Sequence, residues 1–277
     1  MPIHSTSQRG IMNPALAAEA FSLSRHEPSS DLAPLIERYW IVRWDLRGRP
    51  DHVQEVLPHP CVNLAIEPGS SAVHGVCTRM FRRTLSGQGQ VFGVKFRPGG
   101  FHPFAQRGVS ELTDVITPLA QVFGAGAHDL ETAVLNETDR DRQVALVERF
   151  LRLVSPAHDP QVEVVVGVAR TALDDRELTR VEDLAARAGL SVRALQRLFR
   201  AYVGVSPKWL LRRLRMHEAA ERVASGAALD WAALSQELGY FDQAHFVRDF
   251  RAQTGRAPTE YAAECRAGGA PRPSSAA

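Results

Sequence analysis

Cysteine is scarce in this chain: Cys61, Cys77 and Cys265 are the only three among 277 residues. An odd and sparse set excludes a disulfide-stapled scaffold. No apolar run is long enough to span a bilayer and no signal peptide is evident, so a reducing cytoplasmic setting without membrane contact is expected. Neither sign of charge dominates, because 33 Lys and Arg face 31 Asp and Glu for a formal net charge of +2. The short motifs of metal and nucleotide chemistry are missing too. No His or Cys pair has CxxC or HExxH spacing. Gly87, Gly89 and Gly93, following Arg82-Arg83, fit neither the P-loop nor the dinucleotide fingerprint, and a hairpin turn between two strands is expected there. Ser, His and Asp form no local catalytic signature. No catalytic residue, cofactor or metal is expected.

What the chain does contain is a repeat. Ser191 to Pro207 (SVRALQRLFRAYVGVSP) and Asp242 to Pro258 (DQAHFVRDFRAQTGRAP) lie 51 residues apart and share six of 17 positions: Arg197/Arg248, Phe199/Phe250, Arg200/Arg251, Ala201/Ala252, Gly204/Gly255 and Pro207/Pro258. Upstream, Leu184/Leu234 and Gly189/Gly239 repeat at a spacing of 50, so the second turn is one residue longer. Each copy reads as a helix, a Gly-containing turn and a second helix opened by Ser or Asp, the layout of a helix-turn-helix. Charge is concentrated at the first copy. Arg187 to Arg215 holds eight basic residues and no Asp or Glu, where an ordinary surface mixes both signs.

Periodicity separates core from surface inside each copy. Leu195, Leu198, Phe199 and Tyr202 make one apolar stripe, leaving Val192, Arg193, Gln196, Arg197 and Arg200 on the opposite face. Ser191 and Asp242 are placed to cap their helices. The second stripe is poorer, with Asp249 and Gln253 where the first copy has Leu198 and Tyr202. Its outward face carries Gln243, Ala244, Val247, Arg248 and Arg251. Arg can bond guanine bidentately and Gln can pair with adenine, whereas Arg and Lys at helix ends hold phosphates. Between the copies, Pro207 to about Ser225 predicts one helix with Leu210, Leu214 and His217 along one side. Such a rod, about 28 Å long, could space two recognition helices roughly one DNA turn apart.

These residues resemble the AraC/XylS family of bacterial transcription regulators, over about Gln161 to Glu264. The second unit carries the more recognisable signature: Gly239-Tyr240, Gln243, Phe246, Arg248, Phe250, Gly255, Pro258 and Tyr261. The resemblance implies that Arg193, Gln196 and Arg197 face bases from the first unit, and Gln243, Ala244 and Arg248 from the second. Phosphate candidates are Ser191, Arg200, Lys208, Arg212 and Arg251. Ala244 and His245 depart from the family pattern, so the second unit is expected chiefly to grip the backbone.

The N-terminal half reads as strands at Tyr39–Trp44, Val53–Leu57, Val62–Ile66 and Val91–Phe96, then helices near 127–135 and 140–153. Through Tyr39-Trp40, Leu57 to Pro60, Asn63-Leu64 and the Phe96 to Gly100 turn, it resembles a sensor domain of uncharacterised type fused to such units. The expected fold class is α+β: a disordered tail at 1–30, a β-rich sensor or dimerisation domain at 31–154, a linker at 155–160, an all-helical DNA-binding domain at 161–266, and a disordered tail at 267–277. The expected partners are double-stranded DNA, a small-molecule effector, RNA polymerase and a second copy in a homodimer. His59, Cys61, Asn63 and His74 are candidates for an effector pocket, since His59, Cys61 and Asn63 would share a face on a strand. Two alternatives stand beside this reading. One is a DNA-binding domain fused to a cysteine-dependent alkyl-acceptor repair enzyme, although Pro60-Cys61-Val62 lacks the His of that motif. The other is a non-specific architectural DNA-binding protein.

Overall fold

Runs of Val, Ile and aromatic residues form the strands, and Gly or Pro clusters end them. The computed structural model describes residues 10–105, 107–154, 159–225 and 229–268. A short helix, α1 (Pro14–Ala20), precedes eight strands: β1 (Ser22–His26), β2 (Ile36–Asp45), β3 (His52–Val56), β4 (Asn63–Ile66), β5 (Ala72–His74), β6 (Phe81–Leu85), β7 (Gln88–Phe96) and β8 (Ile116–Pro118). Six of them form one sheet in the order β1-β2-β7-β4-β5-β8, and β3 pairs with β6 as a separate ribbon. Every pairing is antiparallel. All four expected strands are found.

Cross-strand register explains what each face of the sheet does. Tyr39, Val94, Leu64 and Val73 lie directly opposite one another and are fully buried, as are Ile41, Phe92 and Ile66 in the neighbouring row. Side chains in register share a face, so this side is the core. On the other side, Trp40 pairs with Gly93 and Trp44 with Gly89. A Cβ on either glycine would fall within 2.2 Å of the indole carbons, so the missing side chains make room for the rings. That is the reason for Gly89 and Gly93. Gly87 takes a positive φ of 56° in a tight turn, but the expected hairpin does not form. β6 pairs with β3 while β7 lies between β2 and β4, so the turn links the ribbon to the large sheet.

Helices follow: α2 (His102–Ala105), α3 (Leu119–Phe123), α4 (Gly126–Asn136), α5 (Arg140–Val154), α6 (Pro160–Asp174), α7 (Val181–Arg187), α8 (Val192–Leu198), α9 (Pro207–Ala224), α10 (Trp231–Glu237), α11 (Gln243–Thr254) and α12 (Pro258–Gly268). Pro160, Pro207 and Pro258 each open a helix, where a missing N–H costs nothing. Asp159 and Ser206 cap α6 and α9 by accepting the amides of Gln161 and Trp209.

The structure corrects two expected boundaries. Residues 14–26, assigned from their Ser, Ala and Pro content to a disordered tail, form α1 and β1. Ala17, Ala20 and the preceding Met12 are buried, and all of β1 pairs with Tyr39 to Arg43 of β2. Burial and strand pairing thus outweigh composition. Residues 1–9, most of the linker (155–158) and the C-terminal 269–277 lie outside the described residues. Nor does each half keep a core of its own. One apolar cluster runs from the sheet through α4, α5 and α6 into α7, α8 and the start of α9. A second joins Met12 and Leu57 to the rest of α9, α10, α11 and α12. The core is divided between the two helical repeats, not at the expected linker.

Candidate nucleic-acid interface

The two turns are built alike. In the first, Gly189 has φ +63° and its amide reaches Ala186 O at 3.1 Å, while Leu190 N bonds Ala185 O at 3.0 Å. In the second, Gly239 has φ +71°, with Gly239 N on Gln236 O and Tyr240 N on Ser235 O, both at 2.9 Å. Each closes the preceding helix with a left-handed glycine, which needs no Cβ. Ser191 then caps α8 through the Ala194 amide (3.2 Å), and Asp242 caps α11 through the His245 amide (2.6 Å). The matching hydrogen bonds make Leu190 equivalent to Tyr240. Phe241 is the additional residue of the longer turn.

On α8, Leu195 and Phe199 are buried, while Arg193, Gln196, Arg197 and Arg200 are exposed. The helix widens into a π turn over Phe199–Val203 and stops at Gly204, whose φ is +91°. Here the N-terminal region touches it. Thr113 Oγ1 donates to Gly204 O at 2.7 Å, and Tyr202 Oη donates to Asp159 at 2.9 Å while its ring stacks on His102. On α11, Phe246 and Phe250 are buried and Gln243, Ala244, His245, Arg248 and Arg251 are exposed. All six expected base-facing residues therefore lie on the solvent-facing sides of α8 and α11.

The acid-free basic stretch is not one uniform surface. Arg193, Arg197, Arg200 and Lys208 are exposed, while the four other basic residues make contacts within the protein: Arg187 and Arg212 from exposed positions, Arg215 half-buried and Arg213 buried. Arg187 pairs with Asp175 at 2.5 Å. Arg215 lies over the Tyr240 ring, 5.2 Å from its centroid, with Nη1 near the carbonyls of Leu238 and Gly239. Arg213 is 1% exposed, donates to Thr78 O at 2.6 Å and lies over Trp209; burial pulls its pKa down to about 10. Arg212, a phosphate candidate by sequence, instead donates Nε to Asp249 Oδ1 at 2.7 Å, with Nη2 on the same oxygen. A guanidinium spent on a protein carboxylate is a brace between helices, not a free phosphate ligand.

Asp249 is the functional detail that periodicity mistook for a weak core. It is 4% exposed and also accepts from Tyr240 Oη at 2.7 Å and Gln253 Nε2 at 3.0 Å. Burial acts to raise its pKa, but the bonds from Arg212, Tyr240 and Gln253 outweigh it and hold the carboxyl below its ordinary range. The carboxylate fixes α11 to α9. An Asp interrupting an apolar stripe, with an Arg on a neighbouring helix, was the available signal.

Three of the four effector-pocket candidates are neighbours, since Asn63 donates to Cys61 Sγ at 3.7 Å and lies opposite His74 on the adjoining strand. His59 stacks on His217 of α9, with centroids 4.2 Å apart. His59 and Cys61 lie in a turn closed by Cys61 N on His59 O at 2.8 Å, not on one strand face. Asn63 and His74 are cross-strand partners, and the register continues through Lys95 to Arg38 on the outer face of the sheet. Lys95 is buried there and binds Glu37 at 3.0 Å. Cys61 is 3% exposed, and burial pushes its thiol up to about 11, the opposite of an activated nucleophile. Among the described residues, no three His, Cys, Asp or Glu side chains gather as for a metal ion. No helix among them is long and apolar enough to cross a membrane.

Residues 184–264 match a family described as a helix-turn-helix domain, and residues 24–118 match a domain of unknown function (DUF6597). The helix-turn-helix domain of this chain is of the AraC type. The transcriptional activator NphR of a Rhodococcus species is 31% identical to this chain over 157 residues, which cover 56% of it and 44% of NphR. The match thus spans less than half of that relative. Among solved structures, the C-terminal domain of AraT, a response regulator from Geobacillus stearothermophilus, shares 24% identity over 38% of this chain and 86% of its own, with a TM-score of 0.35. ToxT from Vibrio cholerae O395 shares 12% identity over 88% of this chain and 97% of its own, with a TM-score of 0.40.

Proposed function

We propose that this protein is a sequence-specific transcription regulator that inserts α8 and α11 into adjacent major grooves. The observation that carries this reading is the matched pair of exposed helix faces behind equivalent turns: Arg193, Gln196 and Arg197 on one, Gln243, Ala244 and Arg248 on the other. Between them α9, 18 residues and about 27 Å long, is braced to both units. That span suits helices spaced by about one turn of DNA. Ser191, Arg200, Lys208 and Arg251 supply phosphate contacts, which set affinity and register without reading sequence.

The N-terminal region then supplies regulation, by taking a small-molecule effector or a second copy of the chain. Asn63 and His74, cross-strand partners on β4 and β5, are the candidates for its effector site. The naming of the Rhodococcus relative as an activator supports RNA polymerase as a further partner. Arg197→Ala is expected to lose about 1–3 kcal/mol of discrimination between a selected duplex and a random one. Lys208→Ala is expected to weaken both equally and to reduce the salt dependence of binding by about one phosphate contact. Equal losses on both duplexes for Arg197→Ala count against base readout. A wild-type affinity ratio near one favours the architectural alternative.

A further inference from the structure

Phe241 is 92% exposed, the highest value of any large apolar side chain among the described residues. It is also the one residue by which the second turn exceeds the first. Its neighbours in sequence are fully employed: Tyr240 is buried under Arg215 and bonded to Asp249, and Asp242 caps α11. The aromatic packing of this unit runs through Tyr240, His245, Phe246, Phe250 and Tyr261. Phe241 stands outside that chain of rings, at the entrance to the recognition helix.

The first turns of a recognition helix are the part that meets base edges in a major groove. In the first unit that region offers Arg193, a hydrogen-bond donor. In the second, the aligned position is Ala244, exposed and apolar, with Phe241 three residues before it. Ala and Phe are side chains that recognise the C5-methyl group of thymine, the one apolar mark in the major groove. We infer that the second unit reads thymine methyl groups through Phe241 and Ala244, so that its half-site is recognised by apolar contact while the first is recognised by hydrogen bonding. The occupant of this apolar patch is DNA, because the patch is continuous with the exposed Gln243 and Arg248 of the same helix. This inference rests on the proposed DNA-reading function.

Replacing thymine by deoxyuridine tests it, since only the methyl group is lost and base pairing is kept. A site is first selected from random duplexes with the full-length chain. Each thymine of the half-site bound by α11 is then replaced in turn, and dissociation constants are measured for wild type, Phe241→Ala and Phe241→Leu. Wild type is expected to lose about fourfold in affinity at one or more positions, the worth of burying one methyl group. Phe241→Ala should lose sensitivity at the thymine that Phe241 meets while keeping any that Ala244 meets, and Phe241→Leu should keep most of the sensitivity at both. A selected second half-site without thymine, or deoxyuridine replacement that leaves wild-type affinity unchanged, overturns the inference while leaving sequence-specific binding intact. Undiminished sensitivity in Phe241→Ala overturns it equally. Failure to select any site removes the underlying reading along with it.

Discussion

The two helix-turn-helix units share a turn geometry and differ in almost everything that supports it. The first is packed with Leu184, Leu195, Phe199 and Val203 in the apolar cluster that continues into the β-sheet. The second has a smaller cluster of its own and holds α11 in place through a buried carboxylate. Both units pack apolar cores, and the second adds a buried carboxylate with its ion pair and hydrogen bonds. Apolar packing is non-directional and tolerates small adjustments, whereas a carboxylate bonded by Arg212, Tyr240 and Gln253 has one good geometry. The unit with the stricter scaffold is also the one with the more apolar exposed face, through Phe241 and Ala244.

The largest test of this contrast is in the cores. Phe199→Ala and Phe246→Ala each remove a fully buried ring, at about 3–5 kcal/mol. Their reach should differ. Hydrogen exchange should show lost protection in the sheet as well as α8 for Phe199→Ala, and in α9 to α12 alone for Phe246→Ala. Loss confined to one unit in both variants would break the comparison.

A smaller effect is expected from the brace. Arg212→Ala leaves Asp249 buried with neutral partners only and should cost about 2–3 kcal/mol, less than a fully buried pair because Arg212 is itself 46% exposed. The carboxyl of Asp249 is depressed below its ordinary 3.8, so its contribution is fully present above about pH 4 and is lost as pH falls through the lower folded value. In Asp249→Asn the acid-induced loosening of α10 and α11 should flatten, as followed by tryptophan fluorescence of Trp231 across pH 2–5. An unchanged acid profile would remove the ionic account of the second unit.

The smallest effect is at the caps. Ser191→Ala and Asp242→Ala should each lower the melting free energy by about 1 kcal/mol, with Asp242 costing more because its charge also suits the helix N-terminus. Equal thermal shifts for the two would show that capping does not distinguish the units.

Much of the reading surface was legible in the sequence because it depends on local rules. Glycine after a helix, a capping Ser or Asp, and apolar spacing on α8 and α11 are short-range features, and they locate Arg193, Gln196, Arg197, Gln243, Ala244 and Arg248 on exposed faces. The one-residue difference between the turns was visible as well, but its consequence was not. Which of Tyr240 and Phe241 turns inward depends on Arg215 and Asp249, contributed by α9 and α11.

The sequence by itself determined the repeat, four of the eight strands of the N-terminal region and the helix that joins the two units. Tertiary structure alone decided which arginines are engaged within the protein. Arg212 meets its carboxylate 37 residues away and Arg213 its carbonyl 135 residues away. It also decided that residues 14–26 are ordered against the sheet and the second unit, and that the core divides between the repeats instead of at the linker. The physical reason is range. Backbone conformation follows from neighbours a few residues away, whereas desolvation and ion pairing depend on segments that only the complete fold brings together.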